Sequence, residues 1–300
     1  MLTLFTVPRS FTGKYASLQL NALKSWLLLR PQIQIILFGD DPGTQEIAKA
    51  YHVDYIGKVE RTKFGTPLLH DIFEKARQFA RCQTLMYTNS DMLYLPDLIK
   101  SIKLVTFSQF LLIGRRYNLD IEHKLVLNKS WKEKLRERLQ TESQLYKFGA
   151  LDYFVFPKSV NFDMPPFAVG RTAWDNWMVY KARSLRIPVI NASNIITAIH
   201  QNHAYEHVNG SRAAKFKQEK DRNWQLVGDR RKFFNSRDAT HIMTRNGLHK
   251  TPFSFLRVVR SIEKFSVLNE SLGFIAEPLV FIIRLFRFFR DKIRTFQNKL

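Results

Sequence analysis

The chain has 300 residues, 45% of them hydrophobic, enough to bury one large core or two smaller ones, and this excludes a disordered protein. Its 47 lysines and arginines against 26 acids give a formal charge of +21, which concentrates phosphate-bearing partners, whether nucleic acid, nucleotide or anionic lipid, without choosing among them. A single cysteine, Cys82, excludes an intramolecular disulfide and a cysteine zinc cluster, so a reducing compartment, the cytoplasm, is expected.

The amino terminus, MLTLFTVPRSF, has no charged leader and only a short apolar run before Pro8 and Arg9; residues 2–7 are expected to form a first strand, not a signal peptide. From Tyr15 to Leu29 apolar side chains recur at helical spacing until Pro31 stops them. IQIILFG, 33–39, is a continuous β-rich run of the kind buried on both faces of a parallel sheet, and it ends in the turn-forming DDPG. A short helix over 44–52, a third strand over 53–59, and a helix over 68–81 after a Gly-Thr-Pro turn follow. Next comes LMYTNSDMLYLPDL, an apolar strand interrupted by Asn89, Ser90 and Asp91. This alternation predicts an α/β fold with a doubly wound, mostly parallel sheet, in which ligands sit beyond the carboxyl ends of the strands. A strand emerging into such a crevice can end in polar residues, because there they face ligand instead of core.

Beyond residue 100 the pattern predicts a strand over FLLIGRRYNL, a charged helix over 129–143, a buried strand at 150–156, and a helix after FAVGRTAWDNW. Strands or extended segments follow in RIPVINAS and IITAIHQNH. The division expected is a main domain over 1–208, a basic segment of loops and short helices wrapping it over 209–250, and C-terminal basic amphipathic helices over 251–300. The richest apolar stretch, 265–289, is broken by Glu270, Glu277, Arg284 and Arg287, so no bilayer span is expected. As a helix from Leu279, the tail places Arg284, Arg287, Arg290 and Arg294 on one side and Phe281, Ile282, Leu285, Phe288, Phe289 and Ile293 on the other. Such a helix either packs on the domain or lies in an anionic membrane interface, and 279–300 is expected to touch the inner face of the membrane.

In an extended backbone Asn89 and Asp91 point to the same side, an oxygen pair suited to a hard divalent cation that also takes diphosphate oxygens. The order LFTVPRSF, IILFGDDPG and FGTPLLHDIFEKARQFARCQTLMYTNSDMLY resembles the nucleotide-sugar glycosyltransferases of the GT-A fold, over roughly residues 2–207. In these a helix runs into an apolar strand ending in an Asp-x-Asp type motif that holds Mn2+ or Mg2+ against the donor diphosphate. Here the first acid is replaced by Asn89, an oxygen ligand without charge.

The resemblance implies that Val7, Pro8, Arg9 and Asp40 flank the nucleoside, that Arg61 and Lys63 reach the phosphates, and that Asn89, Ser90 and Asp91 meet the metal and diphosphate. It implies a late histidine, His200 or His203, as a further metal ligand; His207 stands in the same cluster. Asp175, at a helix start between Trp174 and Trp177, occupies the place of the general base of inverting members, the indoles facing a sugar ring; Asp152 is the acid expected on sugar hydroxyls. The function expected is metal-assisted transfer of a sugar from a nucleotide-diphosphate donor to a hydroxyl acceptor on a glycan, polysaccharide or lipid-linked molecule, with no nucleic-acid partner. The alternatives are a non-catalytic nucleic-acid binder, which would interleave exposed aromatics with basic residues, and a sugar-phosphate nucleotidyltransferase, which needs a glycine-rich loop where TVPRSFTGK stands.

Overall fold

Strand and helix alternate through the first hundred residues of the computed structural model, which describes residues 2–121, 124–203, 210–272, 278 and 280–283. They run β1 (Leu2–Thr6), α1 (Gly13–Leu27), β2 (Gln34–Phe38), α2 (Thr44–Ala50), β3 (Asp54–Ile56), α3 (Leu69–Phe79) and β4 (Thr84–Thr88). Then come β5 (Met92–Tyr94), α4 (Asp97–Lys103), β6 (Leu111–Ile113), β7 (Tyr117–Leu119), α5 (Trp131–Glu142), β8 (Tyr153–Pro157), α6 (Trp174–Ser184), β9 (Val189–Asn191) and β10 (Ala198–Gln201). The described chain closes with α7 (Ser211–Val227), β11 (His241–Thr244), β12 (Gly247–Lys250) and α8 (Phe255–Leu268).

Nine strands form one sheet in the order β12-β11-β9-β6-β8-β4-β1-β2-β3. The pairs β1–β2, β1–β4, β2–β3, β6–β9 and β9–β11 are parallel, whereas β8 runs antiparallel between β4 and β6. The sheet is thus mostly parallel, the α/β architecture expected. Its two faces carry separate cores, and the period of two along each strand sends neighbours to opposite sides. Leu4, Met86, Tyr153 and Val155 join the core with Trp26 of α1 and Leu98 of α4. Phe5, Leu85, Tyr87, Phe154 and Phe156 join the other, with Leu69, Ile72, Phe73 and Ala76 of α3 at helical spacing. Leu4 and Phe5 are both 0% exposed, a burial worth about 1.5–3 kcal/mol for each side chain.

Two runs that read as single strands are each divided between sheets. LMYTNSDMLYL supplies β4 of the main sheet and β5 of a second, three-stranded sheet ordered β5-β10-β7; FLLIGRRYNL supplies β6 and then β7. The second break falls at Gly114, where a Cβ would collide with the hydroxyl of the buried Tyr153 and the next amide, Arg115 N–H, turns away to Ser193 Oγ at 2.8 Å.

The segment 209–250 differs from the loops and short helices expected. It contains the 17-residue α7 and the hairpin β11–β12, and β11 extends the main sheet by parallel pairing of His241 with Ile190 and Ile242 with Asn191. The helical period of α7 is hidden in the sequence because its buried stripe, Glu219, Asn223 and Val227, includes two polar residues. A C-terminal helix, α8, packs beyond the sheet; of the arginine-bearing tail expected from Leu279, 279 and 284–300 lie outside the described residues.

Candidate active site

The tripeptide Asn89-Ser90-Asp91 is the crossing between the two sheets, at the carboxyl end of β4. The apolar stretches on either side belong to different sheets, and the polar residues mark the half-buried passage between them. Antiparallel pairing of β5 with β10 sets His200 opposite Met92, and so beside Asp91. His203 lies just past β10. Asp91 Oδ2 is 3.4 Å from His200 Nε2 and 3.1 Å from His203 Nε2, with the three side chains only 19%, 8% and 7% exposed. One donor atom from each falls within 4.8 Å of the others. Asp91 Oδ1 and His200 Nδ1 are buried with no hydrogen-bond partner among the described residues. Burial pushes the Asp91 carboxyl up, but the hydrogen bonds and charge of the two imidazoles outweigh it and hold it well below the usual carboxylate range. His207 lies outside the described residues.

Buried amides that sequence reasoning missed fix this group. Gln201 Nε2 donates to the backbone oxygens of Asp91 at 2.9 Å and Leu18 at 2.8 Å, while its Oε1 accepts from Asn21 Nδ2 at 3.0 Å. Gln19 Oε1 accepts from Ser90 Oγ at 3.0 Å and from the Arg9 N–H at 2.7 Å, and its Nε2 returns a bond to the Arg9 carbonyl. Gln19 thereby ties the loop after β1 to the crossing after β4. The signal was present: Gln19 and Asn21 interrupt the apolar side of α1, where a buried amide persists only if it is hydrogen-bonded.

Asn89 turns from Asp91 toward Asp152. Its Nδ2 donates to Asp152 Oδ1 at 2.7 Å and its N–H to the Asp152 carbonyl at 3.0 Å, and Arg116 forms an ion pair with the same Oδ1. Asp152 Oδ2 has no hydrogen-bond partner among the described residues. Asn89 is thus drawn to Asp152, while the donor atoms gathered around Asp91 are those of His200 and His203.

Asp175 stands in the first turn of α6, after Ala173, whose φ of 90° puts a side-chain-bearing residue in the left-handed region. Such strain gathers where surrounding structure holds a side chain in place. Burial pushes the Asp175 carboxyl up to about 7, against backbone N–H groups of the helix start that pull it down, and the charge of Asp152 adds to the rise. Its Oδ1 is buried without a partner among the described residues. Asp152, Asp91 and Asp175 all act on one buried phenol, Tyr87, which burial first and these three charges next push up. The structure thus brings the carboxylates of three distant segments to the end of β4.

Trp174 and Trp177 are corrected from sugar platforms to core. Trp174, 5% exposed, packs its ring on Tyr87 and Phe154, and Trp177, 6% exposed, on Phe167, so neither presents an open face.

On the side of β1 and β2, Val7 and Pro8 are buried and Arg9 is exposed, its guanidinium 5.0 Å over the Tyr15 ring, which meets His203 edge-on at 5.4 Å. Arg61 forms an ion pair with Asp40 and lies 3.3 Å from Asp41, so the residues expected at nucleoside and phosphate are joined. The loop carrying Arg61 and Lys63 is fastened from α7: Glu219 accepts from Thr62 Oγ1 at 2.5 Å, Thr66 Oγ1 at 2.9 Å and Arg171 Nη2 at 2.6 Å.

No family model matches the sequence, and no curated protein matches it. Among solved structures the chain is similar to residues 1–349 of S. aureus TarS in complex with UDP-GlcNAc, with TM-score 0.47 and 15% identity over 76% of this chain and 65% of that one, so it spans less than two thirds of that fragment. It is also similar to the mannosyltransferase PcManGT from Pyrobaculum calidifontis in complex with GDP-Man and Mn2+, with TM-score 0.42 and 10% identity over 76% and 64% of the two chains. A third likeness is to glucosyl-3-phosphoglycerate synthase from Mycobacterium tuberculosis with Mn2+, UDP-glucose and phosphoglyceric acid, TM-score 0.42 and 12% identity over 85% and 88%.

Proposed function

We propose that this protein is a metal-assisted glycosyltransferase that moves a sugar from a nucleotide-diphosphate donor to a hydroxyl acceptor on a glycan, polysaccharide or lipid-linked molecule. The observation that carries the reading is the group Asp91, His200 and His203 at the carboxyl end of β4, sharing the neighbourhood of Tyr87 with Asp152 and Asp175. Strand ends of an open α/β sheet are where such folds take their ligands.

The donor set fits a divalent cation: one carboxylate and two imidazoles, with Asp91 Oδ1 still unpartnered among the described residues. Imidazole ligands favour Mn2+ over Mg2+, which prefers oxygens and water. A cation there supplies positive charge opposite a leaving diphosphate. The chain's own residues do the rest. Gln201 and Gln19 hold the crossing in place, and Arg9 is an exposed cation beside it. The reading gives the nucleoside to Val7, Pro8 and Asp40, the donor or acceptor hydroxyls to Asp152, and the proton of the attacking hydroxyl to Asp175, whose pKa near 7 suits a base working at neutral pH. Asp175 takes this part if the reaction inverts the anomeric centre.

The nucleic-acid alternative is less favoured, since the large aromatics Trp26, Tyr87, Tyr94, Tyr153, Phe154 and Phe156 are buried, and the exposed ones among the described residues are few: Phe79, Phe216, Phe253, Phe255 and Phe281. Among the described residues no helix is long and apolar enough to cross a membrane. Contact with the inner membrane face through 279–300 is part of the proposal and explains where a lipid-linked acceptor would be met.

Thermal unfolding with a panel of UDP- and GDP-sugars, each with and without Mn2+, tests the reading. At least one donor should raise Tm in the presence of Mn2+, as a ligand of the native state must, and Asp91→Asn should remove the Mn2+-dependent part. If oligonucleotides raise Tm while no nucleotide sugar does, the protein is not a glycosyltransferase.

A further inference from the structure

Away from the residues discussed so far, a cavity of about 200 Å3 opens between the end of α6, the segment 234–238 and α8. Its lining is dominated by cations: Arg183, Arg237, Arg257, Arg260 and Lys264, with Asp238 as the single acid. Arg257, Arg260 and Lys264 follow one another at spacings of three and four along α8, so the helix presents them on one face.

Within the lining one carboxylate faces five cations, and the charges of Asp229 and Glu263 also act on Lys264. Arg260 takes both oxygens of Asp238, Nε to Oδ1 at 3.0 Å and Nη2 to Oδ2 at 2.6 Å. Arg183 and Lys264 reach only neutral acceptors: Arg183 donates to the Asp238 carbonyl, and Lys264 to the carbonyls of Arg231 at 2.7 Å and Phe233 at 2.9 Å. Arg237 lies 3.8 Å over the Phe148 ring. Arg257 Nη1 is buried without a hydrogen-bond partner among the described residues. Burial pushes down the pKa values of Arg183 and Arg257 and brings Lys264 to about 8, although the charge of Asp238 acts the other way on all three. Partly desolvated like charges repel, and an anion in their midst converts that repulsion into attraction.

We propose that this cavity is a binding site for a phosphate-group anion. Guanidinium forks match phosphate oxygens two at a time, and the ammonium of Lys264 adds a third donor type. The phosphate has two sources of equal chemistry, a soluble phosphorylated molecule or the headgroup of an anionic lipid. The lipid source has an added feature: Phe253 and Phe255, at the start of α8, are 86% and 82% exposed, as residues entering an acyl boundary would be.

The test uses the full chain. Inorganic phosphate is titrated while Tm is followed, and flotation is measured with vesicles of neutral phosphatidylcholine, with and without phosphatidic acid. The variant Arg237→Gln/Arg257→Gln is compared with Lys103→Gln/Lys124→Gln, which removes the same charge from exposed surface positions. Saturable stabilisation by phosphate that weakens about tenfold in the arginine pair and persists in the lysine pair supports the site. Binding to acidic vesicles that inorganic phosphate competes away assigns the headgroup source, and a phosphate response without vesicle binding assigns the soluble one. Phosphate bound at the β4 site instead would be indifferent to the arginine pair, and that result, or no response to phosphate or vesicles, overturns the proposal while leaving the glycosyltransferase reading untouched. Arg237→Gln alone, at an exposed position, keeps the comparison available if the double variant fails to fold.

Discussion

A carboxyl group held near pH 7 ties function to stability at Asp175. Its unfolded-state value is 3.8 and its folded-state value about 7. The stability present below pH 3.8 is therefore lost as pH rises toward 7 and wholly lost above it, since folding must then bury a charge the unfolded chain leaves in water. Asp175→Asn should remove that loss. Thermal unfolding as a function of pH should show the variant level with the parent at pH 4 and more stable at pH 8, by on the order of 2 kcal/mol. The same substitution should lower kcat about 10²–10⁴-fold if Asp175 is the base, and the parent's kcat should rise with pH through about 7. Equal stability at both pH values would mean that the carboxyl is not shifted, and an unaltered kcat would remove Asp175 from the chemistry. At the same scale, Asp91 shows how position changes a residue's meaning: beside His200 and His203 its carboxylate is one corner of a three-donor group.

Two elements hold the site without entering it. The bend between β6 and β7 needs Gly114, because a side chain there meets the buried Tyr153 hydroxyl and stands 3.3 Å from the Ser193 amide. Gly114→Ala should cost about 1–3 kcal/mol in urea denaturation, the usual penalty of overpacking a closed interior. Helix α7 reaches the loop of Arg61 through Glu219, 2% exposed by side chain, with Arg171 at 2.6 Å. Glu219→Ala leaves Arg171 and two hydroxyls without their acceptor and should destabilise by about 3–5 kcal/mol, as removal of one partner of a buried pair does. It should also raise hydrogen exchange across residues 61–67; protection unchanged there would show that the loop holds its shape without α7.

For the whole molecule, the sheet does not end at residue 208. Val227, Phe234 and Val267 belong to the core beneath α3 and α6, and β11 pairs with β9. A chain cut after residue 208 should therefore lack a cooperative unfolding transition, measured by circular dichroism on heating, because a core face is stripped and a sheet edge exposed. A sharp transition close to the parent's would restore 1–208 as an independent unit.

The sequence by itself determined the strand and helix order of the first hundred residues, because runs such as IQIILFG and the spacing of Leu69, Ile72, Phe73 and Ala76 are local patterns that burial on a sheet requires. It also offered Asp91, Asp175, His200 and His203 as candidates, Asp175 and the histidines through the resemblance to GT-A glycosyltransferases. Only the tertiary structure decided that Asn89 belongs with Asp152, that Trp174 and Trp177 are core, that α7 fastens the loop of Arg61 and that β11 joins the main sheet. Each of these depends on contacts that no single run of sequence reports, from Trp177 on Phe167 to Asn89 on Asp152 63 residues away, and in α7 a polar buried stripe erases the period that would have announced it. Local pattern records which face an element buries; what it buries that face against is settled when distant segments meet.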